Sequence, residues 1–414
     1  MDVTIVGGGV IGLSGAYYLN KAGFSVTVID SGDITDNCSF GNMGYISPSH
    51  FVPLASPGII SQGLKWMLSS SSPFYIKPRL STELIEWGIK FWKSSNAATV
   101  EKNVPHLNNL LQLSRSLVDE LRNDLGDTFD METIGCLMMC KQPKTLEHEF
   151  HMADEAEALG LKVSRLVREE VQQLEPDVET DVAGAVLFKD DCHFHPGKMM
   201  LALKKHLEAK GVQFKLNTRV TGFEKSGRQV TAIITDKEKI SCRQVILAAG
   251  SWLPLVAKKL GIKLLLQPGK GYSYTYPYVE KNIKYPAILV DGRCAITPWG
   301  QALRIGGTME LSGINNKVLV KRMEGIYRSA KDFYPGLKID FPPADKIWNG
   351  LRPVTPDGLP YIGKHEDYDN LVIAGGHAML GISMGTGTGK IVSEILQRKT
   401  TTVDISAFRV ERFS

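Results

Sequence analysis

The chain has few of the features that mark secreted, membrane-spanning or metal-binding proteins. Its six cysteines form no C-x-x-C pair and have no histidine at zinc spacing, so we expect a reducing compartment and no disulfide framework. No window reaches ~18 uninterrupted apolar residues, so no membrane span is expected. The N-terminus carries an acid at Asp2 and no basic segment, unlike a secretory signal. A cytoplasmic protein is therefore predicted, with no metal site.

An excess of one charge sign is also missing. Lys and Arg together number 48 and Asp and Glu 44, which gives a formal net charge of +4. No basic cluster with interleaved aromatic residues occurs, so a nucleic-acid partner is not expected. A hydrophobic content of 43% and a charged content of 22% are ordinary for a soluble globular protein. The length of 414 residues favours two domains over one.

A nucleotide-binding pattern opens the chain. Val3–Val6 is a short apolar run that suits a buried strand, and Gly7, Gly9 and Gly12 follow at G-x-G-x-x-G spacing. In this pattern the first glycine permits a tight turn, the second lets a pyrophosphate approach the backbone, and the third allows close helix packing. Asp30, which ends a second strand, would accept a hydrogen bond from a ribose hydroxyl and so favours FAD or NAD over NADP. A glycine-rich turn in another α/β fold is the alternative.

The order of predicted elements indicates a discontinuous nucleotide-binding domain. Alternating strands and helices occur at the start, in the middle and at the end of the chain, and helical and antiparallel segments lie between them. We therefore predict an α/β (α+β overall) fold with a Rossmann-like domain formed by residues 1–50, 182–256 and 345–414. The substrate-binding domain, an antiparallel sheet with helices, is assigned to residues 51–181 and 257–344.

Motifs along nearly the whole chain resemble the D-amino-acid oxidase superfamily of FAD-dependent oxidoreductases, and are most similar to its bacterial D-amino-acid dehydrogenase branch. The clearest are VGGGVIG at 6–12, SFGNMGYISP at 39–48, VILAAGSW at 245–252, WNGLRPVTPDGLPYIG at 348–363 and NLVIAGGHAMLGISMGTGTGK at 370–390. The resemblance implies an FAD cofactor. No cysteine lies in the context of a covalent flavin link, so non-covalent binding is expected.

The cofactor contacts implied by this resemblance fall in six parts of the chain. The C-terminal glycine-rich segment would place a helix N-terminus where the reduced flavin carries negative charge. His377 would add to this stabilisation if protonated, and a structural hydrogen bond is the alternative. The predicted cofactor-binding residues are Gly7, Gly9, Val10, Ile11, Gly12, Asp30, Ser31, Asn42, Met43, Val220, Ala249, Gly250, Trp252, Gly376, Gly381, Ile382, Ser383 and Met384.

Arg352 is the main candidate for substrate binding. The resemblance implies that it pairs with a substrate carboxylate, which a planar guanidinium can bind with two parallel hydrogen bonds. A structural salt bridge is the alternative. Tyr272 and Tyr274 are two residues apart on a predicted strand and share one face, which either lines the substrate pocket or packs in the core. His50 is a weaker pocket candidate.

Two positions depart from the related glycine oxidases. Ala295 stands where those enzymes carry a substrate-binding tyrosine, and Met379 stands where they carry a second arginine. Both departures argue against glycine or sarcosine as the main substrate and predict a roomier, less polar pocket.

The predicted reaction is oxidative deamination of a D-amino acid by hydride transfer from Cα to flavin N5. The substrate is expected to include cyclic compounds such as D-proline or cis-4-hydroxy-D-proline, and the electron acceptor to be a quinone or another acceptor. The alternatives are an FAD-dependent oxidase of glycine, sarcosine or another secondary amine, a non-catalytic flavin-binding protein, and an NAD-dependent dehydrogenase. The sequence predicts no particular oligomeric state.

An aromatic segment bears on the location of the protein. Residues 51–95 either touch the cytoplasmic face of the inner membrane as a peripheral surface or pack within the substrate domain. The apolar residues concerned are Trp66, Met67, Phe74, Tyr75, Trp87, Phe91 and Trp92.

Overall fold

The structure is a computed structural model that describes residues 2–35, 37–66 and 74–413. Two residues of the aromatic segment named in the membrane prediction lie outside the described part: Met67 and the side chain of Trp66. In chain order the elements are β1 (Asp2–Val6), α1 (Val10–Lys21), β2 (Ser25–Ile29), β3 (Tyr45–Ile46), α2 (Ile59–Trp66), β4 (Phe74–Ile76), α3 (Thr82–Ser94), α4 (Ala97–Leu125), β5 (Cys136–Cys140), α5 (Pro143–Ala158), β6 (Val163–Val167), α6 (Arg168–Leu174), β7 (Gly184–Phe188), β8 (Cys192–His193), α7 (Pro196–Ala209), β9 (Gln213–Lys215), β10 (Val220–Ser226), β11 (Gln229–Thr235), β12 (Lys239–Ser241), β13 (Gln244–Leu247), α8 (Leu253–Lys258), β14 (Gln267–Tyr276), β15 (Ala287–Leu289), β16 (Cys294–Trp299), β17 (Ala302–Leu311), α9 (Val320–Phe333), β18 (Trp348–Val354), β19 (Tyr361–Lys364), β20 (Leu371–Gly375) and α10 (Gly381–Leu396).

A six-stranded sheet carries the nucleotide motif. Its order is β19-β20-β13-β1-β2-β9, and β19 alone runs antiparallel to its neighbour. β1 lies inside this sheet, between β13 and β2, and its residues Val3–Val6 are buried, as expected for a central parallel strand covered on both faces. Ligands of such sheets bind beyond the carboxyl ends of the strands, which is where Gly7 and Asp30 lie. The α/β class predicted from the sequence is confirmed.

A nine-stranded mixed sheet forms the second layer. The main path is β18-β14-β17-β16-β15-β5-β7-β6, and β4 adds to the end of β17. Antiparallel pairing, predicted for the segment 257–344, is found between β14, β15, β16 and β17, but β15 also pairs in parallel with β5, which the sequence did not indicate. β7 and β18 fall in segments predicted for the FAD-binding domain, yet both pair within this sheet. The two-domain division itself stays a prediction.

Helix α10 packs unusually close to two other helices. A Cβ on Gly389 would lie 2.5 Å from the backbone of Ser14 in α1, and one on Gly387 would lie 2.9 Å from Ser114 Oγ in α4. Three of the six glycines in the C-terminal segment therefore serve helix packing, with Gly385 approaching Val10. Among the helices of the described residues, none is long and apolar enough to cross a bilayer.

Candidate functional site

A cavity of about 1680 Å³ is lined by residues of both large sheets. One end is formed by the β1–α1 turn and the end of β2. The other end is formed by β14, β16, β17 and β18 of the nine-stranded sheet. The loop 37–45 and the segment 377–383 complete the wall between these ends.

The glycine turn fits a dinucleotide. Gly7 has a φ of 116°, and a side chain there would collide with the carbonyl of Ala248. A Cβ on Gly12 would collide with the carbonyl of Gly7, so a glycine is needed for α1 to pack this close to the turn. A Cβ on Gly9 would meet only Ser39 Oγ, at 3.6 Å, so its backbone is open to the cavity. The turn thus offers the backbone approach that a pyrophosphate needs.

Asp30 is fixed at the same end of the cavity. Its Oδ2 accepts from Gly8 N at 2.6 Å and its Oδ1 accepts from Gly32 N at 2.8 Å. Each carboxylate oxygen has a second lone pair, so Asp30 can still accept from a ribose hydroxyl. The residues present therefore fit the ADP part of FAD.

Most of the predicted cofactor residues meet at this cavity. Gly12, Gly376 and Met384 do not line it. Gly376 has a φ of 83° in a turn against Thr355, and Met384 is fully buried in the core around α1 and α10. Those that do line it are Gly7, Gly9, Val10, Ile11, Asp30, Ser31, Asn42, Met43, Val220, Ala249, Gly250, Trp252, Gly381, Ile382 and Ser383.

His377 requires a correction. It lines the cavity, but burial lowers its pKa to about 3, so the imidazole is neutral at cellular pH. Its Nε2 makes a 2.9 Å hydrogen bond with Thr388 Oγ1, as the structural alternative expected. Its Nδ1 is buried without a partner among the described residues. His377 therefore offers a neutral polar atom, and the predicted positive charge is absent.

Arg352 lines the cavity from β18 of the nine-stranded sheet, whereas Asp30 lines it from the end of β2 in the six-stranded sheet. Its guanidinium lies over the backbone of Gly271, because a Cβ there would lie 2.5 Å from Arg352 Cζ. Nη1 donates to the carbonyl of Thr308, and no carboxylate among the described residues pairs with it. Burial lowers its pKa to about 10, so it stays charged at neutral pH. A structural salt bridge, the alternative to substrate binding, is not found in the described part.

A β-bulge turns the Thr308 carbonyl toward Arg352. Lys270 pairs with Glu310 and Tyr272 pairs with Gly307, so β17 carries one extra residue across this step. Thr308 lies in the bulge with a φ of 69°, a conformation that costs a β-branched residue energy. Strain is thus concentrated beside the guanidinium.

Tyr272 and Tyr274 share a face, but it is the core face. Tyr272 is buried and its hydroxyl donates to Glu310 Oε2 at 2.6 Å. Tyr274 packs against the same core and does not line the cavity. The core-packing alternative therefore describes Tyr274, while Tyr272 packs in the core and also lines the cavity. The opposite face of β14 presents Gly271 and Ser273 to the cavity, as strand alternation requires.

A row of cross-strand neighbours forms the apolar wall of the cavity. It runs from Ser273 through Gly306, Ala295 and Ile288 to Met138, and each pair is in register across adjacent strands. All five line the cavity. The row contains no ionisable side chain and its centre is small, so it leaves room for an apolar group.

Sequence reasoning gave too little weight to a hydrogen-bonded chain at His50. Ser49 Oγ donates to buried Asp191 at 2.6 Å and lies 3.0 Å from His50 Nδ1, and His50 lines the cavity. Burial raises the pKa of Asp191 to about 7 and lowers that of His50 to about 4. A neutral imidazole at the cavity wall can accept a proton. The sequence signal was only the S-H pair after the 39–48 motif.

Comparisons with known proteins agree on one family. A family model described as FAD dependent oxidoreductase (DAO) matches residues 2–395. A D-amino acid dehydrogenase of Bradyrhizobium diazoefficiens is 33% identical over 424 aligned positions, covering 100% of this chain and 99% of that protein. One of Helicobacter pylori is 32% identical over 398 positions, covering 96% and 95%.

A solved structure shows the same fold. Glycine oxidase from Geobacillus kaustophilus superposes with a TM-score of 0.78 at 22% identity, covering 99% of this chain and 98% of that one. At this identity the likeness extends to the fold alone.

Proposed function

The chain belongs to the family of FAD-dependent oxidoreductases (DAO), and on this basis we propose that it oxidises the Cα–N bond of D-amino acids. The observation that carries the proposal is Arg352, a partly buried guanidinium at the cavity without a carboxylate partner among the described residues. Burying an unpaired charge is costly, so such a group indicates an anionic ligand. The amino-acid class follows from the relatives that are about one-third identical over the full length.

Arg352 binds the substrate carboxylate and fixes its orientation. The bond from Nη1 to Thr308 holds one side of the guanidinium, while Nε and Nη2 remain for two parallel hydrogen bonds. Gly271 leaves space for the guanidinium to lie flat on β14. Positioning of this kind supplies much of the catalysis when the reaction needs only alignment of Cα with its acceptor.

The cofactor supplies the redox chemistry. Bound non-covalently in this proposal, FAD would supply the two-electron redox chemistry by which Cα is oxidised. The N-terminus of α10 at Gly381 faces the cavity and stabilises negative charge there. Hydride leaves from the neutral amine, and His50, which burial keeps neutral, can donate or accept a hydrogen bond at the cavity wall.

The cavity wall favours substrates with apolar side chains. Ala295 presents only a small side chain to the cavity, and Met379 adds an apolar surface where a second cation would otherwise lie. A cyclic substrate such as D-proline or cis-4-hydroxy-D-proline fits this description, as does a branched aliphatic one. Glycine and sarcosine would leave much of this apolar surface without a contact.

A quinone is the proposed electron acceptor, with peripheral contact at the membrane surface. Leu80, Ile85, Ile89 and Trp92 expose apolar surface around α3, and Trp92 is 65% exposed. Trp87 is buried and stacks on Phe91, so part of the aromatic segment packs inside. Enzyme with reduced flavin should be reoxidised faster by a quinone analogue than by oxygen in stopped-flow measurements. Faster reoxidation by oxygen would identify an oxidase.

Replacing Arg352 tests the substrate role. Arg352→Ala should raise the KM for a D-amino acid at least ~100-fold, because a charge-assisted bidentate pair contributes about 3 kcal/mol or more. Arg352→Lys should recover part of this loss, since it keeps the charge and loses the planar fork. FAD content and KM are measured for both variants. An unchanged KM in Arg352→Ala with full FAD content would remove Arg352 from the substrate site.

A further inference from the structure

A second buried arginine lies on the same sheet and is unused by the proposed chemistry. Arg304 on β17 is 6% exposed, and no carboxylate among the described residues pairs with it. Its Nη1 donates to the carbonyls of Phe40 at 3.0 Å and Asn42 at 2.5 Å. Its Nε donates to Thr275 Oγ1 at 2.8 Å. The guanidinium lies 4.9 Å from the centre of the Trp299 ring, which fixes its plane.

Two more side chains of the nine-stranded sheet bind the same loop. Ser273 Oγ donates to the carbonyl of Gly41 at 3.1 Å. Thr297 Oγ1 donates to the carbonyl of Met43 at 2.9 Å. Together with Arg304, they bind the carbonyls of four consecutive residues, 40 to 43. We call this set of three side chains the loop clamp.

The loop clamp also fixes where the amide protons point. In a trans peptide the N–H is directed opposite to the carbonyl of the preceding residue. The carbonyls of Phe40 and Asn42 point to Arg304, so the N–H groups of Gly41 and Met43 point away from it. Neither N–H has a hydrogen-bond partner among the described residues, although both residues line the cavity.

Unpaired N–H groups of this kind indicate a ligand. Backbone donors that find no partner are rare in folded proteins, and Gly41 is buried. The neighbouring N–H groups are satisfied inside the loop, Asn42 N by Ser39 O at 3.3 Å and Gly44 N by Asn42 Oδ1 at 2.9 Å. The two free donors therefore alternate with two satisfied ones along the loop.

We propose that Arg304 is a positioning residue that holds the N–H groups of Gly41 and Met43 toward the electron-accepting ring of FAD. Donors fixed before the reaction stabilise the electron-rich reduced ring more than the oxidised ring. Arg304 thereby couples the substrate sheet to the cofactor without touching either the cofactor or the substrate. The inference depends on the FAD site and is independent of which amino acid is oxidised.

The test uses full-length holoenzyme with Arg304→Met and Arg304→Lys. A redox dye poises the enzyme at the wild-type midpoint potential, and the ratio of reduced to oxidised flavin is measured. This ratio should fall about tenfold in Arg304→Met, because the N–H groups of Gly41 and Met43 are no longer held in place. Arg304→Lys should give nearly the same fall, since lysine lacks the Nε donor to Thr275 and the planar group that packs on Trp299. The maximal rate of flavin reduction should fall similarly, while the substrate Kd stays within about twofold.

Matched variants separate positioning from stability. Arg322→Met removes another buried arginine, whose guanidinium lies 4.7 Å from the centre of the Tyr75 ring, and should leave the flavin ratio at the wild-type value. Thr297→Val removes one loop-clamp bond and should shift the ratio in the same direction by a smaller factor. A wild-type ratio in Arg304→Met, or full recovery in Arg304→Lys, overturns the proposal. If neither Arg304 variant folds, a wild-type ratio in Thr297→Val overturns it.

Failure of the proposed function can be distinguished from failure of the inference about Arg304. If no D-amino acid reduces wild-type enzyme, the proposed function fails while the dye-poised ratio still reports on Arg304.

Discussion

At the scale of single residues, the substrate end of the site depends on how Arg352 is accommodated. The sequence identified the arginine through its motif, but it could not show that Gly271 makes space for the guanidinium or that Thr308 accepts from it. Both contacts come from strands distant in sequence. The two tyrosines illustrate a related point: alternation showed that they share a face, but which face meets the core is set by the rest of the sheet.

Gly271→Ala should weaken substrate binding without touching the substrate. The new Cβ would lie 2.5 Å from Arg352 Cζ and would displace the guanidinium from its position on β14. We expect KM to rise about tenfold, which corresponds to about 1.4 kcal/mol of binding free energy. Gly363→Ala is the matched control, because nothing lies within 4 Å of a Cβ at that strand position. Equal KM values in the two variants would show that Gly271 has no such role.

At the scale of elements, the glycine-rich C-terminal segment combines two tasks. Its beginning, at Gly381, Ile382 and Ser383, lines the cavity. Its later glycines lie between α10 and its neighbours α1 and α4. From the sequence, the segment was predicted only to contact the flavin, because the spacing of its six glycines does not distinguish a ligand contact from a helix–helix contact.

Gly389→Ala should destabilise the protein because of helix packing. Alanine usually stabilises a helix relative to glycine by about 0.5–1 kcal/mol. Here its Cβ would lie 2.5 Å from the backbone of Ser14, so we expect a net loss of about 1–3 kcal/mol. The free energy of unfolding is measured by urea titration with saturating FAD. Gly385→Ala, whose Cβ would meet the movable side chain of Val10 at 3.0 Å, should lose less. A gain in stability for Gly389→Ala would refute the close contact.

At the scale of the whole molecule, the site exists where two sheets meet. The nucleotide end could be predicted from the first 30 residues, because its strand, turn, helix and acid are contiguous and each has a local cause. The substrate end could not, since its wall is a row of residues from five strands brought into register by pairing. Predicted boundaries placed β18 with the nucleotide domain, although it pairs with β14 and carries Arg352.

The central claim is that the cavity reduces its flavin with D-amino acids held by Arg352. The most direct measurement is the visible flavin absorbance of the purified holoenzyme, followed anaerobically with matched D and L enantiomers of proline, leucine and alanine, and with glycine. We predict rapid bleaching by D enantiomers with apolar side chains and little bleaching by the L enantiomers or glycine. Bleaching by none of the D-amino acids, or by the L enantiomers alone, would contradict the account.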